Sequence, residues 1–99
     1  MIKVTVLYGP PTDADAFDAH YREVHAPLAR KIPGVTRFEA GKVTTADGSP
    51  SPYHLMAQLW FEDMAALGAG MGSPEGQAAA ADIGSFATGG VTTLLTEVE

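Results

Sequence analysis

Hydrophobic and polar positions along this chain follow two periods, and their succession predicts the elements. Ile2–Tyr8 is rich in β-branched residues and ends at Gly9-Pro10-Pro11, which reads as a first strand closed by a turn. Thr12 is placed to cap the helix that follows, with Asp13 and Asp15 in its first turn, where the positive end of the helix dipole favours carboxylates. Phe17, Tyr21, Val24 and Leu28 then fall at i, i+4, i+7 and i+11, a single apolar stripe, until Pro33-Gly34 stops the element. Residues 35–45 and 53–61 read as two further strands joined by the polar loop 46–52. Residues 62–69 form a short helix that fades into a flexible glycine-rich link, Gly68-Ala69-Gly70-Met71-Gly72. Ser73-Pro74-Glu75 starts another helix: a capping hydroxyl, proline at the first helical position, and an acid in the first turn. It runs towards Phe86, and Gly89-Gly90 turns the chain into a last strand over 91–98.

The resulting order, β-α-β-β-α-β over a single domain spanning residues 1–99, is that of the ferredoxin-like split βαβ unit. It is an α+β fold, a four-stranded antiparallel sheet with its helices on one face. In the third strand Tyr53, Leu55, Ala57, Leu59 and Phe61 point to one side, and His54, Met56, Gln58 and Trp60 to the other. Met56 and Trp60 make that second face apolar as well, whereas a half-solvated strand alternates apolar with polar. Since helices cover one face only, the other is expected to be buried in a homodimer packed sheet to sheet.

Charge narrows the partners. A net charge of -6, with only six basic residues and no cluster of them in the sequence, argues against nucleic acid, whose phosphates are bound by Lys and Arg. The same balance argues against an anionic membrane surface, and no apolar run approaches the roughly 18–20 residues that span a bilayer. The first residues are too short and too β-branched a run for a signal peptide. Cysteine is absent, which removes disulfides and thiolate chemistry, and a cytoplasmic location is the expectation.

Candidate chemistry concentrates in the first helical region, which carries His20 and His25 and is interrupted by Pro27. Both imidazoles flank the buried stripe. Proline has no N–H to donate and crowds the carbonyl of Glu23, so the helix is expected to end, kink or tighten around His25. A carbonyl freed there would fix one ring nitrogen and leave the other for a ligand. A histidine at the boundary of an amphipathic helix is also the ordinary form of a hydrogen-bonded structural residue, and spacing does not separate the two. His20 and His25 lie five residues apart, not the four that stack two metal ligands on a helical face, and no motif brings in His54 as a third ligand. No metal site is expected. The glycines at 68, 70 and 72 lack the pattern and the lysine of a phosphate loop. Asp13, Asp15, Asp18 and Glu23 read as a solvated face, with nothing to pair them for acid–base work. Tyr8, Tyr21, Tyr53, Phe38, Trp60 and Phe86 are candidates to line an apolar pocket, although aromatics are also what a small core is made of, with Tyr8, Tyr21 and His25 as its polar groups.

The combination Phe17-x-x-His20-Tyr21-x-x-x-His25-x-Pro27-Leu28 with Ile32-Pro33-Gly34, followed by Ser73-Pro74-Glu75-Gly76-Gln77, Ala81-Asp82 and Phe86-Ala87-Thr88-Gly89-Gly90-Val91, resembles the EthD family over essentially the whole chain. The resemblance implies a dimeric α+β barrel in which each protomer holds a site between its sheet and its helices. It also implies a link to ethyl tert-butyl ether breakdown beside a cytochrome P450 system, and it maps the family's helix-one histidine onto His25, with Tyr8 and Tyr21 nearby. His20, Trp60 and Phe86 complete the expected ligand-binding set.

Two functions compete at this point. One is a small enzyme acting on an apolar carbonyl or aromatic compound, with His25 as general acid or base. The other is an accessory or carrier dimer that holds an apolar molecule for a partner oxygenase. Haem with a histidine ligand is a weaker third reading. No cofactor is expected: there is no flavin, nicotinamide or metal motif, so an oxidoreductase role would rest on the family label alone.

Overall fold

Strict alternation in two central strands builds the sheet. In the computed structural model, which describes residues 1–99, β1 (Ile2–Tyr8) and β3 (Leu55–Phe61) bury every second side chain. They pair antiparallel, Ile2 opposite Phe61 and Tyr8 opposite Leu55, so their buried rows share one face. β2 (Arg37–Lys42) pairs with β3 and β4 (Val91–Glu97) with β1, giving the antiparallel order β2-β3-β1-β4. β2 and β3 are shorter than the hydrophobic runs suggest: beyond a last backbone bond from the Val43 N–H to the His54 carbonyl, the intervening residues leave the sheet as a loop.

Each helical crossover is in three pieces. The first comprises α1 (Ala14–His20), a π-helical turn (Tyr21–His25) and α2 (Ala26–Arg30) in unbroken succession. The second comprises α3 (Met64–Gly72), α4 (Pro74–Asp82) and a 3₁₀ turn (Ile83–Ser85). The order β-α-β-β-α-β is therefore the ferredoxin-like one. Both crossovers pack on the face that carries Val4, Val6, Tyr8, Ala57, Leu59 and Phe61, and the core between the layers is closed by Phe17, Tyr21 and Phe86. No helix is long and apolar enough to cross a membrane.

Four local expectations are corrected. The cap of α1 is Asp13, whose carboxylate accepts from the Ala16 N–H at 3.1 Å, while Thr12 instead ties its N–H to the Thr88 hydroxyl at 3.0 Å. The glycine-rich link is helix. A side chain at Gly70 would collide with the Pro33 carbonyl, and one at Gly76 with the Gly70 carbonyl. Glycine here lets α3 approach the Pro33 backbone and α4 lie across α3, which is a packing role and not a flexible one. On the first crossover the inward residue is His25, 5% exposed, and not Val24, which is 41% exposed.

The fourth correction concerns the outer sheet face, which is mixed. Its rows across the strands are Arg37, Trp60, Lys3 and Thr96; Glu39, Gln58, Thr5 and Leu94; and Gly41, Met56, Leu7 and Thr92. Trp60 lies on this face between two cations, Arg37 at 4.9 Å and Lys3 at 5.9 Å from its ring. At the β4 edge the helical layer stops short, leaving Val91 and Leu95 exposed on the inner face, while Leu94 and Val98 are exposed on the outer one.

Candidate functional site

Pro27 makes the site by changing the helix before it. In a regular α-helix its ring would press on the Glu23 carbonyl. The chain answers with one wide turn, in which the Ala26 N–H reaches back five residues to the Tyr21 carbonyl. Such π turns are uncommon and recur at functional sites. Each residue of a wide turn advances by less than the usual α-helical step, so His25 comes round nearly beneath Tyr21 and Val24 is left outside. Phe17, Tyr21 and His25 thereby form one inward column over the sheet.

Asp82, the last residue of α4, meets this column. Its carboxylate accepts from His25 Nδ1 at 3.0 Å and from His20 Nε2 at 2.9 Å. Phe86 packs against both imidazoles, 4.9 Å from the His25 ring and 5.1 Å from that of His20. Since Nδ1 is committed to Asp82, the nitrogen left for a bound molecule is Nε2. Burial pushes His25 below the ordinary imidazole value; the bond to Asp82 opposes that shift and the neighbouring His20 adds to it. His25 therefore rests neutral at pH 7, with the Nδ1–H donating to Asp82 and a lone pair on Nε2.

His25 lines an apolar cavity of about 100 Å³ between the helices and the sheet, bounded also by Tyr8, Tyr21, Phe38, Leu59 and Phe61. Two phenols face it. Tyr21 is pushed up to about 12 by burial, partly offset by the charge of Arg30. Tyr8 is pushed higher still, by burial first and then by Tyr21 and Asp82. Both remain proton donors. No protein group hydrogen-bonds to the buried Tyr21 hydroxyl. An unmatched buried hydroxyl costs about 1–3 kcal/mol, so this position favours a molecule that accepts from it.

The structure thus gathers Tyr8, Tyr21, His20, His25 and Phe86 in one place. It separates Trp60, because strand alternation turns that ring to the opposite sheet face. Asp82 is the group that sequence reasoning missed. It stands 57 residues from His25, and its only signal was its place in the Ala81-Asp82 part of the family resemblance. His54 lies apart: its Nε2 bonds Asp18 at 2.8 Å, and Lys42 reaches the other oxygen of that carboxylate at 2.8 Å. Asp18 is accordingly a paired group and not part of a merely solvated face; Lys42 above all, and then His54, hold it below the ordinary carboxylate value.

Comparison with known proteins agrees with this architecture. The EthD domain model matches residues 9–90. An uncharacterised 11.0 kDa protein from the thcB–thcC intergenic region of Rhodococcus erythropolis is 50% identical over 99 residues, covering 100% of this chain and 96% of that protein. The crystal structure of an ethyl tert-butyl ether degradation (EthD) family protein from Bacillus halodurans superposes with a TM-score of 0.94 at 34% identity, covering 100% of this chain and 99% of the other. A dimeric ferredoxin-like protein of unknown function from Jannaschia superposes with a TM-score of 0.74 at 25% identity, with 98% of each chain covered. The motif-bearing helix, the matched domain and the close structural likeness converge: this chain belongs to the EthD family.

Proposed function

We propose that this protein binds a small apolar carbonyl or phenolic compound between its first helical crossover and the sheet, and moves a proton on it with His25 as general base. The observation that carries the reading is the buried His25–Asp82 pair set against an apolar cavity with a phenol hydroxyl lacking a protein partner. Nε2 takes a proton from carbon next to the carbonyl, and the oxygen that gains negative charge accepts a hydrogen bond from Tyr21. The imidazolium formed is stabilised by Asp82. A positioned general base contributes roughly 10²–10⁴-fold to such a step.

A second copy of the chain completes the molecule in this reading. Leu94 and Val98, 50% and 42% exposed, lie on the outer face of β4, and Val91 and Leu95, 43% and 53% exposed, lie on its helix-side face beyond the helical layer; exposed apolar residues of this kind mark an interface. Sheet-to-sheet pairing would cover Leu94 together with Leu7 and Met56, and the Jannaschia neighbour is a dimeric protein. A monomeric mass at micromolar concentration contradicts this part of the proposal.

His25→Ala and Tyr21→Phe test the chemistry when each is titrated with cyclohexanone and assayed for exchange of its α-hydrogens with deuterated solvent. His25→Ala is expected to abolish exchange while retaining binding, and Tyr21→Phe to lower it with stability equal to or above that of the parent. Loss of affinity in His25→Ala, with no exchange by the parent protein, overturns catalysis and points to a carrier.

A further inference from the structure

Besides the buried cavity, the largest concavity is a cleft of about 460 Å³ between the first helical crossover and the β2 edge. Three of the chain's six basic residues, Arg22, Arg30 and Lys42, line it, against one carboxylate, Asp18. The six look scattered in sequence; folding brings half of them together. In a protein of net charge -6 this local excess of positive charge is against the general trend.

The cations are not equally engaged. Lys42 is bound to Asp18 at 2.8 Å, and Arg22 has only a loose 3.9 Å approach to Glu23 on the surface. Arg30 has no acidic partner; its guanidinium lies over the Phe38 ring at 5.1 Å, which leaves its N–H fork open. Two residues connect the cleft to the buried cavity, since Tyr21 and Phe38 line both. The cleft is therefore placed as the polar entrance to the apolar site.

We infer that the molecule bound here is an amphipathic acid, its carboxylate held in the cleft by Arg30 with Arg22 and its apolar body passing Tyr21 and Phe38 into the cavity beside His25. The inference rests on the ligand site proposed above and adds the ligand's charge and orientation. A guanidinium fork meets a carboxylate with two parallel hydrogen bonds, a geometry that a neutral amide does not satisfy. Arg30 acts on ligand position and takes no part in proton transfer.

Hexanoate and hexanamide are probes of equal length that differ in charge. Calorimetry, with NMR shift mapping at Tyr21 and His25, is expected to show hexanoate binding about fivefold or more tighter at low salt. The double variant Arg22→Gln/Arg30→Gln, both positions exposed, should erase the preference and leave hexanamide affinity unchanged. Equal affinities in the parent protein, or a preference that survives in the double variant, overturn the inference. The two readings fail separately. Hexanamide shifting Tyr21 and His25 without charge preference removes only the acid-binding cleft. Hexanoate bound with no shift at those residues removes the cavity site, and binding of neither probe removes both.

Discussion

Two histidine–carboxylate groups, Asp18 with His54 and Asp82 with His20 and His25, are built to opposite ends. At the rim, Asp18 takes His54 on one oxygen and Lys42 on the other, so a permanent cation balances the carboxylate and the group clasps α1 to the sheet. In the interior, Asp82 takes His20 and His25 and has no lysine or arginine. The first arrangement needs no proton to be electrically complete. The second is complete only when an imidazole gains one, and it faces an apolar cavity. The same side-chain chemistry is thus a fastening in one place and a poised base in the other, and the difference is the presence of Lys42.

Removing the carboxylates one at a time should break this comparison most visibly. Asp82→Ala leaves two imidazoles without their acceptor and is expected to destabilise by about 1–3 kcal/mol in chemical denaturation. It should also lower the His25 pKa further, since Asp82 opposes the effect of burial. A raised His25 value in that variant contradicts the assignment.

Acidification gives a smaller effect of known sign. Because His25 has a folded value below its unfolded 6.5, the unfolded chain binds the extra proton first. The associated stability is present above pH 6.5 and is lost as pH falls through the folded value. His25→Gln should flatten this part of the denaturation midpoint against pH. A parent protein that gains stability over the same fall would contradict the sign. The smallest effect is expected from Asp18→Asn, under about 1 kcal/mol, because Lys42 is exposed and its ion pair is screened. The His25 titration should not move in that variant.

Legibility of the site in the sequence followed the range of the forces involved. The Ser73 cap, strand alternation and the β-α-β-β-α-β order depend on neighbours within a few residues, and the runs around Val4, Leu59 and Ser73 announced them, although the cap of α1 fell one residue away from Thr12, at Asp13. Pro27 announced a disturbance, but not that the helix would widen, so Val24 and His25 exchange places relative to a regular wheel. Asp82 and the Gly70–Pro33 approach depend on which helix crosses which, and neither leaves a local trace. Trp60 was expected at the site, although alternation along its own strand already set it on the face opposite Leu59.

The central claim is that His25 rests neutral, with its proton on Nδ1 towards Asp82 and a lone pair on Nε2. Long-range ¹H–¹⁵N correlation of the imidazole rings measures this directly. The account predicts the Nδ1–H tautomer at pH 7 and a titration midpoint below 6.5. An Nε2–H tautomer, or an imidazolium at pH 7, would contradict it.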